Sequence, residues 1–155
     1  MPLSPEQARR LAQAPVARLA TASADGVPHV IPVCFAMDPQ TGEQPIYSVL
    51  DRKPKRAALT RLRRVRNILE NPQVALVVDH YEADWGKLWY ILVTGRAQLL
   101  TEDTSTNADQ ERVRAIELLR AKYPQYRTMD IDANPVLRIS PERAVAWAFT
   151  PEPGS

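Results

Sequence analysis

The chain has 155 residues, 45% of them apolar and 25% charged, with a net charge of +2. That near-neutral balance excludes a chain-wide polyanion binder, and the single cysteine, Cys34, excludes an intrachain disulfide. The opening segment is polar and no apolar run approaches the roughly 20 residues that span a bilayer, so the expectation is one domain over residues 1–155, soluble and cytoplasmic.

Ser4-Pro5-Glu6-Gln7 has capping-box spacing with proline at the first helical position, which predicts a helix ending near Ala14. Val16 to Ser23 reads as a strand, and Asp25-Gly26 is a hairpin turn. The next strand, Val27 to Met37, contains Pro28 and Pro32, so it must be an edge, carry a bulge or leave the sheet. Asp38 to Gly42 is a turn and Ile46 to Leu50 a third strand. From Pro54 to Glu70 the period is helical, with Ala58, Leu62, Val65 and Leu69 on the buried face. Arg56, Arg63 and Asn67 fall opposite, with Arg64 nearby, and Asn71-Pro72 stops the helix.

Strands at Val74 to His80 and Leu88 to Leu100 flank a polar loop that holds Trp85. A helix from Asp109 to Tyr123 shows apolar positions at Val113, Ile116, Leu119 and Tyr123. Pro135 to Ser140 and Arg143 to Thr150 are the last strands, and residues 151–155 read as a frayed tail. Six or seven strands, mostly joined by short connections, with three helices predict a mainly β, α+β protein. Its architecture is an antiparallel barrel with helices packed outside.

No glycine-rich phosphate loop or zinc-protease motif is present, and one cysteine with two distant histidines, His29 and His80, supplies too few ligands for structural zinc. Cys34 lies in an apolar strand and reads as packing rather than as a nucleophile. The sharpest feature is basic: Arg52 to Arg66 carries eight lysines and arginines and no acid. A solvated helix face mixes signs, because like charges one turn apart repel. An unmixed run at a helix start instead suits a phosphate. Trp85, in its polar loop, is suited to stacking on a ring, with Trp89 nearby; packing is the competing reading for both. Prolines in Val30-Ile31-Pro32-Val33 leave backbone groups that could read the edge of a flat heterocycle.

These segments together resemble the pyridoxamine-phosphate-oxidase-like split-barrel family. The anchors are Ala17-Arg18-Leu19-Ala20-Thr21, Asp25-Gly26-Val27-Pro28, Val30-Ile31-Pro32-Val33, Asn67-Ile68-x-x-Asn71-Pro72, Val74-Ala75-Leu76-Val77-Val78 and Gly95-Arg96-Ala97. Asp51-x-Lys53-Pro54-Lys55, Arg64-x-x-Asn67 and Asp79-x-Tyr81-x-x-Asp84-Trp85-x-x-Leu88-Trp89 resemble a subgroup dependent on coenzyme F420, a deazaflavin. The resemblance implies an FMN-binding type of split barrel and a homodimer with cofactor sites at the subunit interface. It implies a phosphate on Lys53, Lys55, Arg64 and Asn67, with Arg56, Arg61 and Arg63 as neighbours. The ring would lie against Val30, Pro32 and Val33, closed over by Trp85 and Trp89, either of which could come from the other subunit. The basic segment is longer than in the flavin-phosphate oxidases, which leaves open which of Lys53, Lys55, Arg63 and Arg64 meets the phosphate. The implied activity is F420-dependent hydride transfer to or from a small molecule. An FMN-dependent oxidoreductase or oxidase and a non-catalytic F420 carrier are the alternatives. Membrane association is not expected, and nucleic-acid binding through the basic helix ranks below these readings.

Overall fold

A computed structural model describes residues 2–51, 59, 61–102 and 105–150. Helix α1 (Pro5–Gln13) opens on the expected capping box, Ser4 with Gln7. Strands β1 (Ala17–Ala22) and β2 (Pro28–Val33) form a hairpin whose turn places Gly26 at φ +84°, where a side chain would be strained. Then come β3 (Ala36–Met37), β4 (Ile46–Val49), α2 (Arg63–Glu70), β5 (Gln73–His80), β6 (Trp89–Leu100), α3 (Thr106–Lys122) and β7 (Val136–Ala148). The strands form one antiparallel sheet in the order β2-β1-β5-β6-β7-β4-β3, curled into a split half-barrel. Among the described residues no helix is long and apolar enough to cross a membrane.

Alternation along the strands sends Leu19, Leu76, Val78, Ile91, Val93 and Ile139 inward, where α1 contributes Leu11 and α2 contributes Val65 and Ile68. A second core under α3 gathers Tyr47, Val49, Leu100, Ile116, Leu119, Tyr126 and Val136. Strand β2 is an edge, as its prolines require. The Ser23 N–H donates to the Val27 carbonyl at 3.1 Å. Alternation from that pair turns the backbone groups of Pro28, Val30 and Pro32 away from β1, so no ladder donor is lost.

Several expected elements differ. The strand expected from Val27 to Met37 is two, β2 and β3, because Phe35 leaves the ladder. The Tyr123 hydroxyl accepts from the Phe35 N–H at 3.0 Å and lies 3.0 Å from the Phe35 carbonyl, and Lys122 Nζ donates to that carbonyl at 2.9 Å. The two final strands are one, β7, with a register shift opposite Thr94 and Gly95 that leaves Glu142 unpaired between Pro141 and Arg143. Helix α3 starts at Thr106, capped by Ser105, rather than near Asp109. Its Val113 is exposed, while Arg112 is buried.

The helix expected over Pro54 to Glu70 does not run unbroken to its end. Residues 52–58 and 60 lie outside the described residues, and Leu62 is extended, with φ −58° and ψ 141°. The break resets the helical phase. Arg64, Val65, Asn67 and Ile68 are buried, while Leu69, expected in the core, is 65% exposed. Asn67 therefore lies on the inner face of α2, not on the solvent face.

Two of these features carry predictions. The buried Arg112 guanidinium donates to the carbonyls of Asp132 at 2.7 Å and Asn134 at 3.1 Å. Replacing Arg112 with methionine strands both carbonyls and should cost about 2 kcal/mol in urea unfolding. Lys122, half-buried with its ammonium 3.8 Å from the Phe35 ring centre, has its pKa lowered to about 8 by desolvation. From pH 8 to 10 the unfolded chain then holds more protons at this lysine than the native one, so its contribution makes stability rise with pH. Lys122→Met should flatten that rise in denaturation midpoints taken across the window.

Candidate cofactor site

Helix α2 begins with no side-chain cap and with no acidic residue in its first turn. An uncapped helix start presents N–H groups and partial positive charge. Arg63 is exposed there, and Arg64 is only 9% exposed. Asn67, 1% exposed, donates through Nδ2 to Thr21 Oγ1 at 3.0 Å, which fixes it against β1. Its Oδ1 is buried with no hydrogen-bond partner among the described residues. A buried acceptor left so is costly and marks a site that a donor can complete. Lys53, Lys55 and Arg56, which precede this helix in the same basic run, lie outside the described residues.

Asp51 stands immediately before that run, and the buried Tyr126 donates its hydroxyl to the Asp51 carboxylate. Burial first, and then Asp51, push the Tyr126 phenol pKa upward, so it stays a donor throughout the neutral range. This tether anchors the entry to the basic segment on the second core. It went unread in the sequence because residues 126–134 carry no periodicity that assigns them to an element.

At the sheet edge Val30 is 60% exposed and Pro32 is exposed, while Val33, expected beside them, packs in the core and turns its backbone groups toward β1. Val30 supplies the N–H that faces the open edge between two prolines. Trp85 sits on a short 3-10 turn, Trp85–Lys87, whose start is capped by Asp84 accepting from the Gly86 N–H at 3.0 Å. The indole of Trp85 is 67% exposed. Asp79 instead pairs with Arg18 at 3.1 Å.

Trp89 is placed differently. It faces the barrel interior beside α1, with the Arg10 guanidinium 4.6 Å from its ring centre. Trp89 pairs with His80 at the far end of β5, whereas Asn67 meets β1 at Thr21, level with Val74. Six residues of strand separate them, roughly 20 Å at about 3.3 Å per residue. Within one chain, then, Arg64 and Asn67 come together, and Trp85 and Trp89 lie at the opposite end.

Part of the outer face of the sheet is apolar. Val77, Leu92 and Val145 form a row across three strands, and Tyr90 stacks on Trp147 with ring centres 5.8 Å apart. Val30, Val145, Trp147 and Phe149 are all exposed on it or at its margin.

A split antiparallel barrel with a basic helix start against its first strand defines the flavin-binding type of split barrel. The chain matches the pyridoxamine 5'-phosphate oxidase family over residues 3–148, and it belongs to that family. A search of the curated proteins finds no match. Among solved structures it is similar to a conserved hypothetical protein of Mycobacterium tuberculosis, with TM-score 0.65, 19% identity, and 94% and 85% of the two chains covered. It is similar to the heme storage protein HutZ of Vibrio cholerae, with TM-score 0.62, 18% identity, and coverage of 96% and 95%. A FAD-binding protein of Mesorhizobium loti aligns with TM-score 0.63 at 22% identity, covering 93% and 94%. At these identities the likenesses establish the shared fold.

Proposed function

We propose that the protein is a coenzyme F420-dependent oxidoreductase that moves a hydride between the deazaflavin and a small-molecule substrate, acting as a homodimer. The observation that carries this reading is the acid-free basic run from Arg52 to Arg66, which ends on an uncapped helix start where Arg64 and Asn67 are buried together. Coenzyme F420 has a phosphodiester followed by glutamates, and a long cationic surface suits such a tail better than it suits one phosphate. Arg64, Asn67 and Arg63, with Lys53, Lys55 and Arg56 of the same run, would hold the tail. Val30 and Pro32 would take the ring edge.

The apolar outer face would join two subunits, and the partner subunit's Trp85 would close the ring site. Trp147→Asp should therefore convert a dimer to a monomer, as read by sedimentation. When bound, the deazaflavin supplies the hydride chemistry. The chain's own residues bind it, orient it and exclude water, in keeping with the absence of an acid–base motif in the sequence.

Titrating the purified protein with F420 and following cofactor fluorescence tests the reading. Binding no tighter than that of a charge-matched control protein would sink it. The second reading, a flavin-dependent oxidoreductase, draws on the similarity of fold to the Mesorhizobium loti FAD-binding protein. A yellow preparation that releases flavin on denaturation would favour it. Tight F420 binding with no turnover of any acceptor would instead indicate a carrier.

A further inference from the structure

The Asn67 amide is half used. Its Nδ2 donates to Thr21 Oγ1 at 3.0 Å, which holds the side chain against β1. Its Oδ1 is buried and has no hydrogen-bond partner among the described residues. An amide oxygen only accepts, so what completes it must be a donor. A buried acceptor is costly until one does.

The place of Asn67 in the fold indicates which donor. It lies about one turn beyond Arg63, the first residue of α2, or roughly 6 Å along the axis at about 1.5 Å per residue. Its partner Thr21 stands opposite His29 in the β1–β2 pair, and Val30 follows His29 at the sheet edge. Opposed residues share a face with Cβ atoms roughly 5 Å apart, so the half-buried His29 stands beside Thr21 on the side of the open edge. The helix start, Asn67 with Thr21, and His29 with Val30 therefore follow one another across the candidate site. That order runs from its cationic end to its ring edge.

In flavins and deazaflavins alike, a chain of hydroxylated carbons joins the ring to the phosphate. A phosphodiester and ionised glutamates have no proton to give, so neither can satisfy an acceptor. A hydroxyl can. We infer that Asn67 Oδ1 accepts a hydrogen bond from a hydroxyl of this chain, so that Asn67 selects a cofactor whose ring and phosphate are joined by a polyol. The phosphate is left to the cations around the helix start. The inference rests on the reading of a cofactor site at α2. It moves Asn67 from the phosphate, where the family resemblance puts it, to the chain.

The test is fluorescence titration of the full chain with a matched pair of probes. One is the deazaflavin nucleoside 5'-phosphate; the other is the same deazaflavin phosphate on a plain alkyl chain of equal length. The wild-type protein should bind the hydroxylated probe about tenfold more tightly, the scale of one buried hydrogen bond. Asn67→Leu, similar in size but with no acceptor, should bind the two equally. Equal affinities in the wild-type protein would overturn the inference. So would a tenfold preference that survives in Asn67→Leu while both probes weaken together, which would assign the amide to the phosphate. If neither deazaflavin binds, the deazaflavin reading fails by itself. FMN and its alkyl-chain counterpart, which differ in the same hydroxyls, then decide the inference by the same comparison, and no binding of either pair overturns both. The first comparison uses wild-type protein, so it stays decisive even if the variant fails to fold.

Discussion

Gly95→Val lowers the stability of the protein by about 4 kcal/mol, the upper end of what overpacking costs. Gly95 lies on β6 opposite Pro141, at the register shift that leaves Glu142 unpaired. A Cβ added there would stand 2.1 Å from the Ser140 carbonyl oxygen and 3.1 Å from the Pro141 Cα. Both obstacles are backbone, so no side-chain rotation relieves them. The β6–β7 pair runs the whole height of the barrel, from Trp89 opposite Ala148 to Leu100 opposite Val136. Forcing these strands apart would disturb the inner core at Val93 and Ile139. Urea unfolding checks this, with Gly26→Ala as the comparison: Gly26 meets nothing within 4 Å and should lose only the cost of its positive φ, about 1 kcal/mol. Equal costs at the two glycines would show that the crossing is looser than described.

Arg64→Gln weakens binding of F420 by about tenfold to a hundredfold, the range expected for a lost hydrogen bond to a charged group. Arg64 is the basic residue of α2 that is buried, and it lies beside Asn67, whose Oδ1 has no partner among the described residues. The neighbouring Arg63 and Arg66 are exposed and screened by solvent, so Arg63→Gln should cost about threefold or less. Arg9→Gln, on the exposed side of α1, should change nothing. Fluorescence titration of the cofactor orders the series, and a thermal melt of Arg64→Gln separates lost binding from lost fold. If Arg63 and Arg64 cost the same, the phosphate is held by diffuse charge and not by the buried pair.

Local chemistry made much of the fold legible. Ser4 with Gln7 marked a helix start, and Pro28 with Pro32 narrowed their strand to an edge, a bulge or a departure from the sheet, of which the fold takes the first. The core-facing alternation of β5 and β6 placed both strands within a residue or so. The unread parts depend on partners distant in the chain. Nothing near Phe35 announces that the Tyr123 hydroxyl, 88 residues on, takes its backbone out of the ladder. Arg112 reads as solvated until the carbonyls of Asp132 and Asn134 are seen to surround its guanidinium. In the site, the helical wheel assumed an unbroken helix, and the extended Leu62 rotates everything after it. That rotation moved Asn67 from the solvent face to the interior and Leu69 the other way. The exposed indole of Trp85 suits the stacking role read from its polar loop, whereas Trp89, read the same way, packs under Arg10.

In the proposed function the basic run from Arg52 to Arg66 holds an anionic tail. Its most direct measurement is a calorimetric comparison of F420 with the deazaflavin nucleoside that lacks the phosphodiester and the glutamates. F420 should bind at least about a hundredfold more tightly at low salt, and the advantage should shrink as salt screens the tail. Equal affinities, or an advantage indifferent to salt, would contradict it.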